Sequence, residues 1–204
     1  EDVVLSALTA PPAAMPEPDG SSARFVSLPD GRQMFVHCIG PEGGVAAPAV
    51  IFDSGAGSDS TAWHGVWQEV GKTALSCTYD RAGLGLSDPG PLPRDTAAVA
   101  NDIEAMLTAA SIPGPYVLVG HSLGGLYMQY FARRYPAEVK GLVLVDSVHS
   151  NQLNRVKTEA PGVYRMMNVV TVLMGGAMRR EFASIPLTAA EVQALPEVEH
   201  LPTI

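Results

Sequence analysis

Nothing constrains this chain more than the stretch Tyr116-Val117-Leu118-Val119-Gly120-His121-Ser122-Leu123-Gly124-Gly125. An apolar, β-branched run stops at Gly-His-Ser-Leu-Gly, and a segment with helical character follows directly. This is Gly-x-Ser-x-Gly between a strand and a helix, the setting in which a serine is held on a sharp, strained turn with its hydroxyl clear of the backbone. The spacing has a steric reason. The residues two before and two after the serine come close to neighbouring chain, where only a small side chain fits, and Gly120 and Gly124 stand at those places. The helix behind Ser122 aims its first N–H groups at the point where negative charge would develop on a substrate. A glycine-rich turn with an accidental serine is the plainer reading, and the flanking strand and helix argue against it.

Strand and helix alternate around this turn. Residues 1–20 carry four prolines and several alanines and read as an extended leader. Arg24–Leu28 and Gln33–Ile39 read as a hairpin across the Pro29-Asp30-Gly31-Arg32 turn. Ala49–Asp53 is a short apolar strand of the kind buried in a parallel sheet. Asp59 or Ser60 is placed to cap a helix through about Lys72, and Asp95 to cap another containing Val99, Ile103, Met106 and Leu107. Leu75–Tyr79 and Gly141–Asp146 complete the strands. This alternation predicts a mostly parallel sheet with helices on both faces, whose ligands bind beyond the carboxyl ends of the strands. Ser54, Asp80, Ser122 and Asp146 all fall at such ends. From residue 151 no strand is evident. A Met- and Val-rich run spans residues 166–174, and Thr188 to Glu191 has capping-box spacing that predicts a helix start at Thr188.

Composition limits the partners. A chain of 204 residues suggests one domain with a real core. A net charge of −8 argues against nucleic acid or an anionic membrane surface as partner. Hydrophobic residues at 47% with charged residues at 17% indicate a globular chain, and no run of about 18 apolar residues predicts a transmembrane helix. The chain opens on Glu1 without a signal-like region, which reads as a mature or trimmed product. No cysteine or histidine spacing suits a metal, and no cofactor is expected.

From Arg24 to Ser150 the sequence resembles the α/β-hydrolase fold superfamily. It is most similar to bacterial single-domain hydrolases that carry Tyr-Asp-Arg-Ala-Gly-Leu-Gly before the elbow, here residues 79–85. The resemblance implies an α/β-hydrolase core over 21–150, with an N-terminal antiparallel hairpin, and a helical lid over 151–204 following the sixth strand. Ordinary core helices covering the sheet are the alternative for that last segment. It implies Ser122 as nucleophile and an oxyanion hole formed by the Leu123 and Ala56 N–H groups. Here Ser54-Gly55-Ala56 stands where His-Gly-x is usual, and a plain glycine turn is the alternative. Arg81 and Asp88 are expected to fix the loop after the fourth strand rather than touch substrate. By the same resemblance Cys38 and Cys77 fall on neighbouring strands, so a disulfide, and with it a secreted or periplasmic protein, competes with two buried thiols in a cytoplasmic one.

The base is missing from the pattern. The family takes its histidine after an eighth strand and its acid after a seventh, and neither strand is visible in the sequence. Asp146 is a candidate acid, with capping of the strand end as the alternative. Of the five histidines only His149 is placed to approach the site. The expectation is therefore a piece of a longer hydrolase, completed by a second segment or chain that supplies two strands, a histidine and an acid. The reaction implied is cleavage of a small-molecule carboxylic ester through an acyl-enzyme, on a hydrophobic acyl substrate that suits a Met-rich lid. Acyl transfer, peptide hydrolysis, cofactor-free peroxidation and a non-catalytic binding module remain alternatives.

Overall fold

Period-two burial builds the first two strands. In the computed structural model, which describes residues 21–41, 48–173 and 175–204, β1 (Ser21–Ser27) and β2 (Gln33–Ile39) form an antiparallel hairpin, with Met34, Val36 and Cys38 of β2 facing inward. The expected leader over 1–20 lies outside the described residues. β3 (Ala49–Asp53), β4 (Ser76–Tyr79), β5 (Tyr116–His121) and β6 (Val139–Val145) complete a six-stranded sheet in the order β1-β2-β4-β3-β5-β6. β2 pairs antiparallel with β4, and the remaining pairs are parallel.

Alternation along the central strands feeds two cores. Ile51 and Leu118 point to one face, where they join α2 (Thr96–Ala109) and α3 (Leu123–Arg134) through Ile103, Met106, Leu126 and Phe131. Phe52 and Val119 point to the other, against Trp63 and Trp67. Trp67 belongs to α1 (Val66–Gly71), and Trp63 ends a 3-10 turn at Ser60–Trp63. The single helix expected from Asp59 to Lys72 is thus two pieces. Asp59 does cap the first, accepting the Thr61 N–H at 3.0 Å, but Gly65 breaks the run with φ of +89°. Asp95 caps α2 as expected, accepting the Ala98 N–H at 2.8 Å.

After β6 come α4 (Gln152–Glu159), α5 (Pro161–Leu173) and α6 (Gly176–Ala194). The helix start expected at Thr188 is not there: α6 runs from Gly176 through Pro186, and Thr188 is fully buried within it. Packing overrides the local signal, because Ile185, Ala189 and Val192 share one face that buries in the core against α3. Glu191, the other half of the supposed capping box, accepts the Thr96 N–H at 3.0 Å and so caps a different helix, α2. The segment 151–204 is therefore not uniform. α4 and α5 bury no residue, whereas the second half of α6 covers the core as an ordinary helix would.

The outer edge of β6 is also partly paired. Leu142 N–H donates to the Pro202 carbonyl at 2.9 Å, Ile204 N–H to Leu142 at 3.0 Å, and Leu144 N–H to Ile204 at 2.8 Å. Thr203 thereby bridges Leu142 in parallel, where the sequence showed no strand. Three residues are too few for periodicity to reveal, but an open strand edge attracts any backbone that can satisfy it. No helix among the described residues is long and apolar enough to cross a membrane.

Cys38 and Cys77 face each other across the β2–β4 pair and form a disulfide, with Cα atoms 4.1 Å apart. The bond closes a separation of 39 residues. Replacing both cysteines with serine is expected to cost about 3 kcal/mol, mainly by releasing the unfolded chain. Urea unfolding of the double variant, and of the native protein with and without dithiothreitol, measures this. A midpoint that does not move under either change contradicts it.

Candidate active site

β5 delivers the chain to Ser122 and α3 carries it away, and between them Ser122 adopts φ of 52° and ψ of −119°. A side-chain-bearing residue held there costs about 1–3 kcal/mol, and such strain persists only when the surroundings impose it. They do. The Ser122 N–H donates to the Val145 carbonyl at 3.2 Å, and its own carbonyl accepts from Gly125 and Val148 at 3.1 Å each. The end of β6 thus pins the elbow. The Ser122 hydroxyl makes no hydrogen bond among the described residues. It sits half-buried at the N-terminus of α3, a 12-residue helix whose dipole favours negative charge at that point.

The two glycines are required by contact. A Cβ on Gly120 would lie 2.5 Å from the Gly125 Cα, and one on Gly124 would lie 2.5 Å from the Asp53 and Ser54 carbonyl oxygens. Both clashes are with backbone, which cannot swing aside. Gly124→Ala is expected to lower stability by about 2–3 kcal/mol, read from urea unfolding. An unchanged midpoint would show that α3 is free to shift away from β3.

The same closeness brings the loop after β3 to the serine. A Cβ on Gly55 would lie 3.4 Å from the Ser122 Cβ and 3.0 Å from His121 Nδ1. Gly55 therefore lies alongside the elbow, and the Ser54 carbonyl lies against Gly124 just past it. His121 also meets Trp63 in a T-shaped ring contact, with 6.4 Å between centroids. The Leu123 and Ala56 N–H groups make no hydrogen bond among the described residues.

Beneath this loop lies a buried charge cluster. Arg81 follows β4 and is 3% exposed. Its Nη1 donates to Asp53 Oδ1 and to the Ser54 carbonyl, both at 2.6 Å. Its Nη2 donates to the Gly55 carbonyl at 2.7 Å and to Glu181 Oε2 at 2.9 Å, and Nε donates to Glu181 Oε1 at 2.8 Å. All five guanidinium donors are thus used. Burial works against the Arg81 charge, but Asp53 and Glu181 outweigh it and hold the group well above its usual value. Burial pushes the Asp53 carboxyl up, against the pull of Arg81. Asp88 anchors the far end of the loop, accepting the Gln33 N–H through Oδ2 at 2.8 Å. Arg81 and Asp88 fix the loop, as expected. No local sequence signal marks Glu181, which lies 100 residues from Arg81 with no motif around it.

Asp146 stands just past β6, exposed, with φ of 44° and no hydrogen bond among the described residues. His149 is exposed at the entry to α4. Its Nδ1 accepts the Asn151 N–H at 3.0 Å as the chain enters α4. His37 packs on Trp67 with ring centroids 4.5 Å apart, and His200 is exposed in the tail with φ of 63°. No histidine among the described residues is hydrogen-bonded to Ser122.

Residues 48–165 match the protein family described as alpha/beta hydrolase fold. A human protein named (Lyso)-N-acylphosphatidylethanolamine lipase is 31% identical over 128 residues, which is 61% of this chain and 37% of that protein. A protein of Hormonema carpetanum named "Probable transporter efuK" is 30% identical over 143 residues, 68% of this chain and 20% of that one. The chain thus spans well under half the length of these relatives. Among solved structures, an alpha/beta hydrolase from Novosphingobium aromaticivorans superposes with a TM-score of 0.60 at 21% identity, covering 76% of this chain and 52% of that one.

Proposed function

Since this chain belongs to the α/β-hydrolase fold family, we propose that it is a serine hydrolase that cleaves carboxylic esters at Ser122. The observation that carries the reading is the strained elbow, with its unbonded hydroxyl at a helix N-terminus beside the loop of residues 54–56. Ser122 Oγ adds to the ester carbonyl carbon, and the carbonyl oxygen becomes an oxyanion held by the Leu123 and Ala56 N–H groups. Collapse expels the alcohol with the serine's proton, and water then releases the acid and restores the hydroxyl. In this reading a histidine supplied from outside these 204 residues acts as base, since no described histidine is hydrogen-bonded to Ser122. Asp146, unpaired at the end of β6, is the candidate carboxylate to orient it.

The lipase among the relatives supports an ester of a hydrophobic acyl group, as do the exposed Met166, Val169, Val170 and Val172 of α5. We assign α4 and α5 as the lid over that substrate. The Cys38–Cys77 bond supports an oxidising compartment. A second reading, a binding module that lost its base, is favoured by the engagement of His149 with Asn151 rather than with Ser122. A fluorophosphonate probe separates the two. Covalent labelling of the native protein, mapped by mass spectrometry to the peptide containing Ser122, supports the enzyme, and a folded protein that stays unlabelled supports the binding module.

A further inference from the structure

The contacts around Ala56 assign a role to Glu181. We propose that Glu181, on α6, is a positioning residue that holds the Ala56 N–H in place as an oxyanion donor. The inference rests on the serine-hydrolase reading and adds to it the part of the molecule that keeps the site competent.

Ala56 is flanked by two peptide planes, and Glu181 reaches both. On one side it acts through Arg81. Glu181 binds Nε and Nη2 of the guanidinium, and the same Nη2 donates to the Gly55 carbonyl at 2.7 Å. In a trans peptide the N–H points opposite to the C=O of the same plane. Anchoring the Gly55 carbonyl on Arg81 therefore turns the Ala56 N–H away from the buried cluster. On the other side the contact is direct: the Gly57 N–H donates to Glu181 Oε2 at 2.6 Å. With both planes fixed, Ala56 has little freedom to rotate its N–H out of line.

The surroundings make this more than a surface ion pair. The Glu181 side chain is 14% exposed and Arg81 is 3% exposed, so neither is well solvated. Met178, one turn earlier on α6, lies over Gly57: a Cβ at Gly57 would come within 2.9 Å of its Cγ and Cε. Gly57 has φ of +71°, a conformation that suits glycine. The first turns of α6 thus press on the loop while Glu181 binds it, and the second half of the helix is rooted in the core through Ile185, Ala189 and Val192. Without Glu181, Arg81 keeps Asp53 and the loop carbonyls but loses a partner on Nε, and the Gly57 N–H is released.

The test uses Glu181→Ala and the near-isosteric Glu181→Gln in the full protein, with p-nitrophenyl butyrate as substrate. Losing one oxyanion donor lowers kcat about 10²–10³-fold in serine hydrolases. Glu181→Ala is expected to lower kcat about 100-fold, to change KM less than about threefold, and to slow fluorophosphonate labelling of Ser122 in parallel. In Glu181→Gln an amide oxygen still accepts the Gly57 N–H, so a partial rescue to about 10-fold below native is expected. Hydrogen–deuterium exchange of the peptide spanning residues 54–58 should accelerate at least about tenfold in Glu181→Ala, independently of any chemistry. Unchanged exchange there, or a kcat within about threefold of native in a folded variant, overturns the role of Glu181. Should the alanine variant not fold, the glutamine variant carries the test by the same measures. A native protein that is not labelled at Ser122 overturns the hydrolase reading instead, while the exchange result still decides whether Glu181 holds the loop.

Discussion

Replacing Ser122 with alanine is expected to abolish fluorophosphonate labelling and to lower ester hydrolysis by at least about 10³-fold, with stability unchanged within about 0.5 kcal/mol. The two halves of this expectation have one source. The hydroxyl is the only group removed, and it makes no hydrogen bond among the described residues, so its loss leaves no partner unsatisfied. The backbone of Ser122 is held by Val145, Gly125 and Val148 through groups that alanine also has. The strained φ of 52° is common to both residues and cancels in the comparison. In the proposed mechanism what disappears is the nucleophile, and the remaining donors would polarise a carbonyl without forming an acyl-enzyme. Intact-mass and stopped-assay measurements on the native and variant proteins, made with matched urea curves, provide the check. Labelling that persists in the variant would place the reactive group elsewhere and end the assignment of Ser122.

Arg81→Met is expected to destabilise the protein by about 4 kcal/mol. Methionine keeps the bulk of the arginine stem, so the main loss is the charge and hydrogen bonds of the guanidinium. Asp53 is 0% exposed and accepts a charged hydrogen bond from Arg81, while its second oxygen has no partner among the described residues. Removing the guanidinium strands that carboxyl in the interior and leaves the Ser54 carbonyl without the charged donor it now has. Adding Asp53→Asn to the Arg81→Met variant is expected to recover about 1–2 kcal/mol, since an amide is cheaper to bury than a carboxylate. Equilibrium urea unfolding of the single and double variants gives both numbers. A single-variant loss below about 1 kcal/mol would mean that the cluster is not holding the loop.

Both results turn on distances between remote parts of the chain, and that is where the sequence stops being readable. The elbow is local. Its strand, its two glycines, its serine and its helix start occupy consecutive residues, and the backbone clash that excludes a side chain at Gly120 is with Gly125, just past the serine. The caps at Asp59 and Asp95 are local too, and they were legible for the same reason. Buried runs such as Ala49–Asp53 announce parallel strands by composition alone. The resemblance to α/β-hydrolases then placed Cys38 beside Cys77 through the strand order, and the disulfide follows from that register.

Thr188 shows how a local signal misleads. Its capping-box spacing is genuine, yet burying Ile185, Ala189 and Val192 together against α3 outweighs one favourable cap, and the helix runs through. Glu191 then serves α2, a partner 95 residues distant that no window around it could reveal.

By itself, then, the sequence determined the strand, sharp turn and helix around Ser122 and the alternating plan of the sheet, because short-range sterics and period-two or helical burial settle those within a few residues. Only the tertiary structure decided that Glu181 reaches back to Arg81 and Gly57, and that residues 202–204 lie along β6. A buried charge and an open strand edge both demand partners, but neither demand specifies where along the chain the partner is found.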